Sequence, residues 1–82
     1  MSQEIEPKQI AQNILFLDHL VELMALKNAA ALSRKLDVAP PVISKIRHGR
    51  LPIGSSFLVR CHEICGITFK EMRKYVPPVP GL

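Results

Sequence analysis

Ser44, Lys45, His48 and Arg50 place a hydroxyl, an ammonium, an imidazole and a guanidinium group along one short run of the chain. Groups of this kind donate hydrogen bonds and carry positive charge, which suits them to phosphate oxygens; a long flexible lysine also reaches acceptor atoms such as O6 and N7 of guanine. A second run, Cys61-His62-x-x-Cys65, offers two thiols and an imidazole, which are ligand types for zinc. Cys61 and Cys65 stand one helical turn apart and can share a face, but His62 is rotated well away from both. A structural zinc site takes four ligands, and the chain holds no second cluster to complete one, so small thiols packed in a core are the better reading. Catalytic chemistry has less to work with. There is no glycine-rich phosphate loop and no pair of carboxylates on one face, and Ser55-Ser56 reads as a helix cap. The expectation is a binding protein without enzymatic activity, metal or cofactor.

The charge distribution favours the first run. The formal net charge is +4 over 82 residues, but it is unevenly spread. Residues 1–26 carry four acids against one base, residues 27–50 six bases against one acid, and residues 51–82 four bases against two acids. A basic middle beside an acidic front is the electrostatic footprint of a protein that presents one face to nucleic acid. Scattered lysines usually mark no more than a solvated helical face. Here the bases coincide with a structural motif.

That motif occupies residues 28–50. Ala29, Leu32, Ser33 and Leu36 recur at helical spacing, with Asn28 just ahead where a cap belongs. Val42, Ile43 and Ile46 form the inward side of a second helical pattern, leaving Ser44, Lys45, Arg47 and His48 outward. Asp37-Val38-Ala39 is too short to be a loop of its own. Asp37 falls where the chain must turn sharply and a left-handed conformation is needed. Val38 fits the elbow between the helices. Pro40 and Pro41 suit a first helical turn, whose N–H groups have no intrahelical acceptor, and Gly49 suits a helix end. Two helices across so tight a turn form a helix-turn-helix.

The rest of the chain supports this unit. Residues 1–7 read as a flexible start. A long helix is expected over residues 8–26, with Ile10, Ile14, Leu17, Val21 and Met24 as its buried stripe. Phe16, Leu20 and Leu23 form a second stripe beside it, and the resulting arc is wider than one face of a small domain needs. They are therefore expected to meet a second subunit or the chain's own C-terminal segment. Gln12, Leu15, Asp18, His19 and Glu22 are left for water. A further helix begins at Ser55 or Ser56 and runs to about Cys65, where Gly66 ends it. Thr68-x-x-Glu71 has the spacing of a capping box for a last short helix, with Phe69, Met72 and Val76 inward. Residues 77–82 form a proline-rich tail of extended backbone. The domain is thus 8–76, an all-α assembly of five helices. The start shows no secretory signal, no stretch is long and apolar enough to span a membrane, and two cysteines make no disulfide framework; the protein is expected in the cytoplasm.

Through Leu32, Leu36, Val38, Ile43, Ser44, Ile46 and Gly49, the chain resembles the lambda repressor/Cro-like (XRE-type) family of helix-turn-helix transcriptional regulators, over about residues 14–75. The resemblance implies a five-helix lambda-repressor-like domain of bacterial or phage origin that binds duplex DNA as a homodimer and represses transcription. Its second motif helix, residues 40–48, would enter the major groove. Carried over by position, the base-facing residues are Pro40, Pro41 and Lys45, with Val42 and Ser44 beside them. Phosphates would meet Asn28 and Ala29 at a helix start, and His48 and Arg50 on the other side. The chain departs from the family at Pro40 and Pro41, where polar side chains are common, and at Ala39, which lacks a capping hydroxyl. Direct readout would then lean on Lys45 and on DNA shape. The competing expectation is a protein-interaction module on the same fold, such as an anti-activator or an antitoxin-like component.

Overall fold

The computed structural model describes residues 5–78, which hold five helices and no strand. The expectations for residues 1–4 and for the tail beyond Pro78 lie outside the described residues. The first helix, α1, spans Pro7–Leu23, with proline in its first turn. It ends three residues before the expected limit. Met24 caps it, and Ala25 turns into the left-handed region at φ 53°, so that Leu26 N–H bonds back to Val21 O at 2.9 Å. A left-handed alanine costs about 1–2 kcal/mol and leaves no compositional trace, which is why the apolar period runs on past the true end.

The two helices of the basic middle are α2, Ala29–Leu36, and α3, Pro40–Arg47. Asn28 caps α2 by accepting a hydrogen bond from Ala31 N at 2.9 Å. Asp37 takes the left-handed conformation, φ 56° and ψ 46°, and Val38 N–H bonds to Ser33 O at 3.0 Å to close the turn. Val38 packs half-buried against the core, as its place in the elbow requires. Arg60 reaches this junction from the fourth helix. Its guanidinium donates to Leu36 O at 3.4 Å and lies 3.8 Å from the Asp37 carboxylate, so a positive charge meets the carbonyl end of α2.

The fourth helix, α4, covers Ser55–Cys65, and α5 covers Phe69–Met72. Gly54, not a serine, is the N-cap of α4, and neither Ser55 nor Ser56 supplies a capping bond. Gly66 ends α4 with φ 72°. The Thr68 hydroxyl accepts from Glu71 N at 3.1 Å, one half of the expected box. After α5 the chain turns back along α1. Gln9 Nε2 donates to both Asn13 Oδ1 and Tyr75 O, at 2.8 and 3.0 Å, which satisfies the buried Asn13 and ties the two ends of the domain together.

This return of the chain decides between the two partners expected for the second stripe of α1. Phe16 and Leu20 are completely buried in the core together with Leu17, so they do not form a surface for a second subunit. Phe16 lies against Tyr75 with ring centroids 5.6 Å apart, and Val76 joins the same core. The apolar arc of α1 is wide because α2, α3 and the chain's own C-terminal segment cover more than one side of it. Of the expected inner stripe, Leu17 is completely buried and Ile10, Ile14, Val21 and Met24 are only half-buried. Of the second stripe, Leu23 alone remains half exposed. His19, expected to face water, is partly covered by stacking on Tyr75 at 5.6 Å.

Candidate nucleic-acid interface

The helical period of α3 sorts its side chains. Ile43 and Ile46 are 2% and 1% exposed, and they fix the helix to the core along one line. The opposite side carries Pro40, Pro41, Ser44, Lys45 and His48, all exposed. Val42 does not belong with them. It packs half-buried against the core and faces a cleft lined by Val38, Ile46, Leu51, Pro52 and Phe57. The reason is angular: two residues past Pro40, the helix has turned about 200°, onto the flank that meets α4. Val42 is therefore corrected from a base-facing residue to a packing residue.

The prolines start α3 without a side-chain cap, behind Ala39 in extended conformation. Val42 N–H bonds to Ala39 O at 2.9 Å, a tight opening turn, and the two proline nitrogens stand where an N–H would have no intrahelical acceptor. At the other end Gly49 adopts φ 72° and closes the helix, with its N–H on Ile46 O, while Arg50 N–H reaches Lys45 O at 2.8 Å. A side chain at residue 49 would press on the end of the Ile10 side chain of α1, which would have to move aside. Glycine is thus favoured there chiefly for its conformation. This reversal brings Arg50 beside the outer face of α3.

Two shallow depressions adjoin on that face. One is lined by Ser44, Lys45, His48 and Arg50. The other lies between the start of α2 and α3, lined by Ala29, Ala30, Pro40, Ser44, Arg47 and His48 together with Ile43. They share Ser44 and His48, and no carboxylate lines either one. Of the expected contact residues, Pro40, Ser44, Lys45, Ala29, His48 and Arg50 are therefore gathered along one continuous rim. Pro41 is exposed on the same side of α3. Asn28 is also exposed, but its side-chain oxygen is committed to Ala31 N. The N–H groups of Ala29 and Ala30 precede the first intrahelical bond of α2, from Leu32 N to Asn28 O at 3.2 Å, and point where an anion is favoured.

Hydrogen-bond direction refines the role of His48. Its Nδ1 lies 2.8 Å from Ser44 O, and a carbonyl oxygen only accepts, so Nδ1 carries the proton. In the neutral ring Nε2 is then an acceptor, suited to a base amino group. Only the doubly protonated ring donates to phosphate. Lys45 and Arg50 have no acid partner among the described residues. Arg47 does: its Nη1 donates to Asp18 Oδ1 of α1 at 3.0 Å. Sequence reasoning placed Arg47 outward but not at the site. The signal that would have found it, a carboxylate 29 positions away, is visible only in three dimensions.

The cysteine run has a different fate. Cys61 is buried in the core, where desolvation pushes its thiol up to about 12, with Cys65 adding to the shift. Burial also raises Cys65, and Lys35 nearby opposes that shift. His62 turns away, with Nδ1 on Ile67 O at 2.8 Å and its ring stacked on Phe69 at 4.5 Å. Among the described residues no three His, Cys, Asp or Glu side chains gather as metal ligands. No helix among them is long and apolar enough to cross a membrane.

Comparison of the chain with protein-family models, curated proteins and solved structures returns no match.

Proposed function

We propose that this protein is a sequence-specific duplex-DNA-binding regulator of the lambda repressor/Cro-like kind, which represses transcription by occupying a promoter. The observation that carries the reading is the acid-free rim along α3, where Ser44, Lys45, His48 and Arg50 adjoin the open start of α2. In this reading α2–turn–α3 is a helix-turn-helix. The outer face of α3 enters the major groove, Lys45 donates to a guanine edge, and Arg50 and the N–H groups of Ala29 and Ala30 hold phosphates. Pro40 and Pro41 contact a thymine methyl or set the approach of the helix. Two copies bind two half-sites as a homodimer; the half-exposed Leu23 is the part of the original partner surface still available to such a contact.

The rival reading, a protein-interaction module, drew on the apolar arc of α1, the proline tail and the Pro40-Pro41 pair. Phe16 and Leu20 of that arc are enclosed by the chain itself, which removes the arc's support. The deciding experiment is a gel-shift series on duplex DNA from 50 to 200 mM salt. A dimer that neutralises about six to ten phosphates loses roughly 10³–10⁵ in affinity over that range. A flat response rules out DNA as the ligand.

A further inference from the structure

Arg47 is the base on α3 that faces the depression at the start of α2 and is also held by a carboxylate. Its guanidinium shares that depression with Ser44 and His48, and its Nη1 sits 3.0 Å from Asp18 Oδ1. The pair is single-pronged and lies at the surface, with the two side chains 37% and 57% exposed. An arginine presents five N–H donors in a planar fork, and one contact to Asp18 leaves the others for a second anion. Lys45 and Arg50, along the same rim, have no such restraint among the described residues. The acid therefore acts on one base of the rim and not on its neighbours.

We propose that Asp18 competes with DNA phosphate for Arg47, and so restrains sequence-independent affinity while leaving the base-reading face of α3 untouched. This rests on the DNA-binding reading above. With Asp18 in place, the pair is close to neutral and contributes little to attraction of the duplex. With Asp18 made neutral, Arg47 turns its full charge to the phosphate that meets the depression, adding one phosphate contact per subunit. Each added contact steepens the fall of log K with log salt by about 0.9, or about 3–4-fold over 50 to 200 mM. Asp18 is thereby an affinity-limiting residue. It lowers binding to all sequences alike and leaves the discrimination supplied by Lys45 unchanged.

The test uses the full chain and fluorescence anisotropy with a labelled 30-base-pair duplex of random sequence, titrated at several salt concentrations. The variants are Asp18→Asn, Asp18→Ala, Arg47→Gln, the Asp18→Asn/Arg47→Gln pair, and Lys45→Ala. Asp18→Asn and Asp18→Ala are expected to tighten binding about 3–10-fold at the lowest salt and to steepen the salt slope by about one per subunit. In the Arg47→Gln background the same Asp18→Asn change should move affinity less than about 2-fold, because only the long-range charge remains. Circular-dichroism melts should place both Asp18 variants within a few degrees of the parent, since an exposed pair holds little of the fold together. Unchanged or weaker binding by both Asp18 variants, with Lys45→Ala still costing affinity, overturns the competition and leaves the DNA reading standing. An equal gain from Asp18→Asn with and without Arg47 also overturns it, because the acid then acts through general charge. Absence of salt-dependent duplex binding by every form overturns both proposals together.

Discussion

The two flanks of α3 differ by less than half a turn of helix and have opposite characters. On one, Ser44, Lys45 and His48 adjoin Arg50 in a polar depression without acids. On the other, Val42 and Ile46 face Val38, Leu51, Pro52 and Phe57 in an apolar cleft, with Arg60 at its edge on the turn between α2 and α3. Both flanks come from eight residues, and the core line of Ile43 and Ile46 sets their direction. A recognition surface on so short a helix is therefore only as well aimed as the packing behind it. In the proposed DNA-binding role, the polar flank would supply contacts and the apolar flank orientation.

The largest effect should come from the packing side. Leu20→Glu places a carboxylate in a completely buried site, where an unpaired charge costs several kcal/mol, comparable with the whole stability of a domain this size. The expected outcome is an unfolded chain by circular dichroism. A folded monomer would mean that Leu20 serves an interface and not the core. Next in size is the contact side. Lys45→Ala should lose about 1–3 kcal/mol of discrimination on a preferred site and relax preference at one base pair per half-site. Arg50→Ala should lower affinity for preferred and random duplex together. Competitive selection from a randomised-operator pool separates the two. If Lys45→Ala keeps every preference, the polar flank positions the protein without reading bases, and selectivity comes from DNA shape.

Smaller effects sharpen the contrast between aiming and contact. Asn28→Ala removes the bond to Ala31 N and should cost about 1 kcal/mol in a urea melt, while shifting the start of α2 on which the second depression depends. The smallest concerns the cysteines. The Cys61 thiol, pushed up to about 12 by burial, should stay unmodified by iodoacetamide at pH 8 in the folded protein. Because that value lies above the ordinary thiol value of 9.0, its contribution to stability is intact below about pH 9 and is lost as pH rises towards 12. Cys61→Ala should flatten that part of the alkaline stability profile. Rapid alkylation at neutral pH would show that α4 opens readily.

Much of the fold was legible because local chemistry marks it. Asn28, Asp37, the proline pair, Gly49 and Gly66 each stand where the backbone needs that residue type, and each stands at or beside the end of a helix. Leu32, Leu36, Ile43 and Ile46 showed their buried side through spacing alone. The errors on the faces of α1 share one cause. The faces of α1 depend on where the chain after α5 returns, and a period of 3.6 does not say which of two adjacent stripes a distant segment will cover. Phe16 and Leu20 were left open to a second subunit or to the chain's own end for that reason, and the Asp18–Arg47 pair went unseen for the same one. Val42 is a different case: its inward spacing was legible, but position in the motif was allowed to outweigh it.

Gly49 holds a left-handed backbone with the end of the Ile10 side chain packed against it. The two positions are accordingly linked in inheritance. A larger residue at 49 asks the Ile10 side chain to move aside, and asparagine is the substitution its backbone best tolerates. Residue 10 can drift while glycine is kept. Among descendants of this chain, change at position 49 should trail change at position 10.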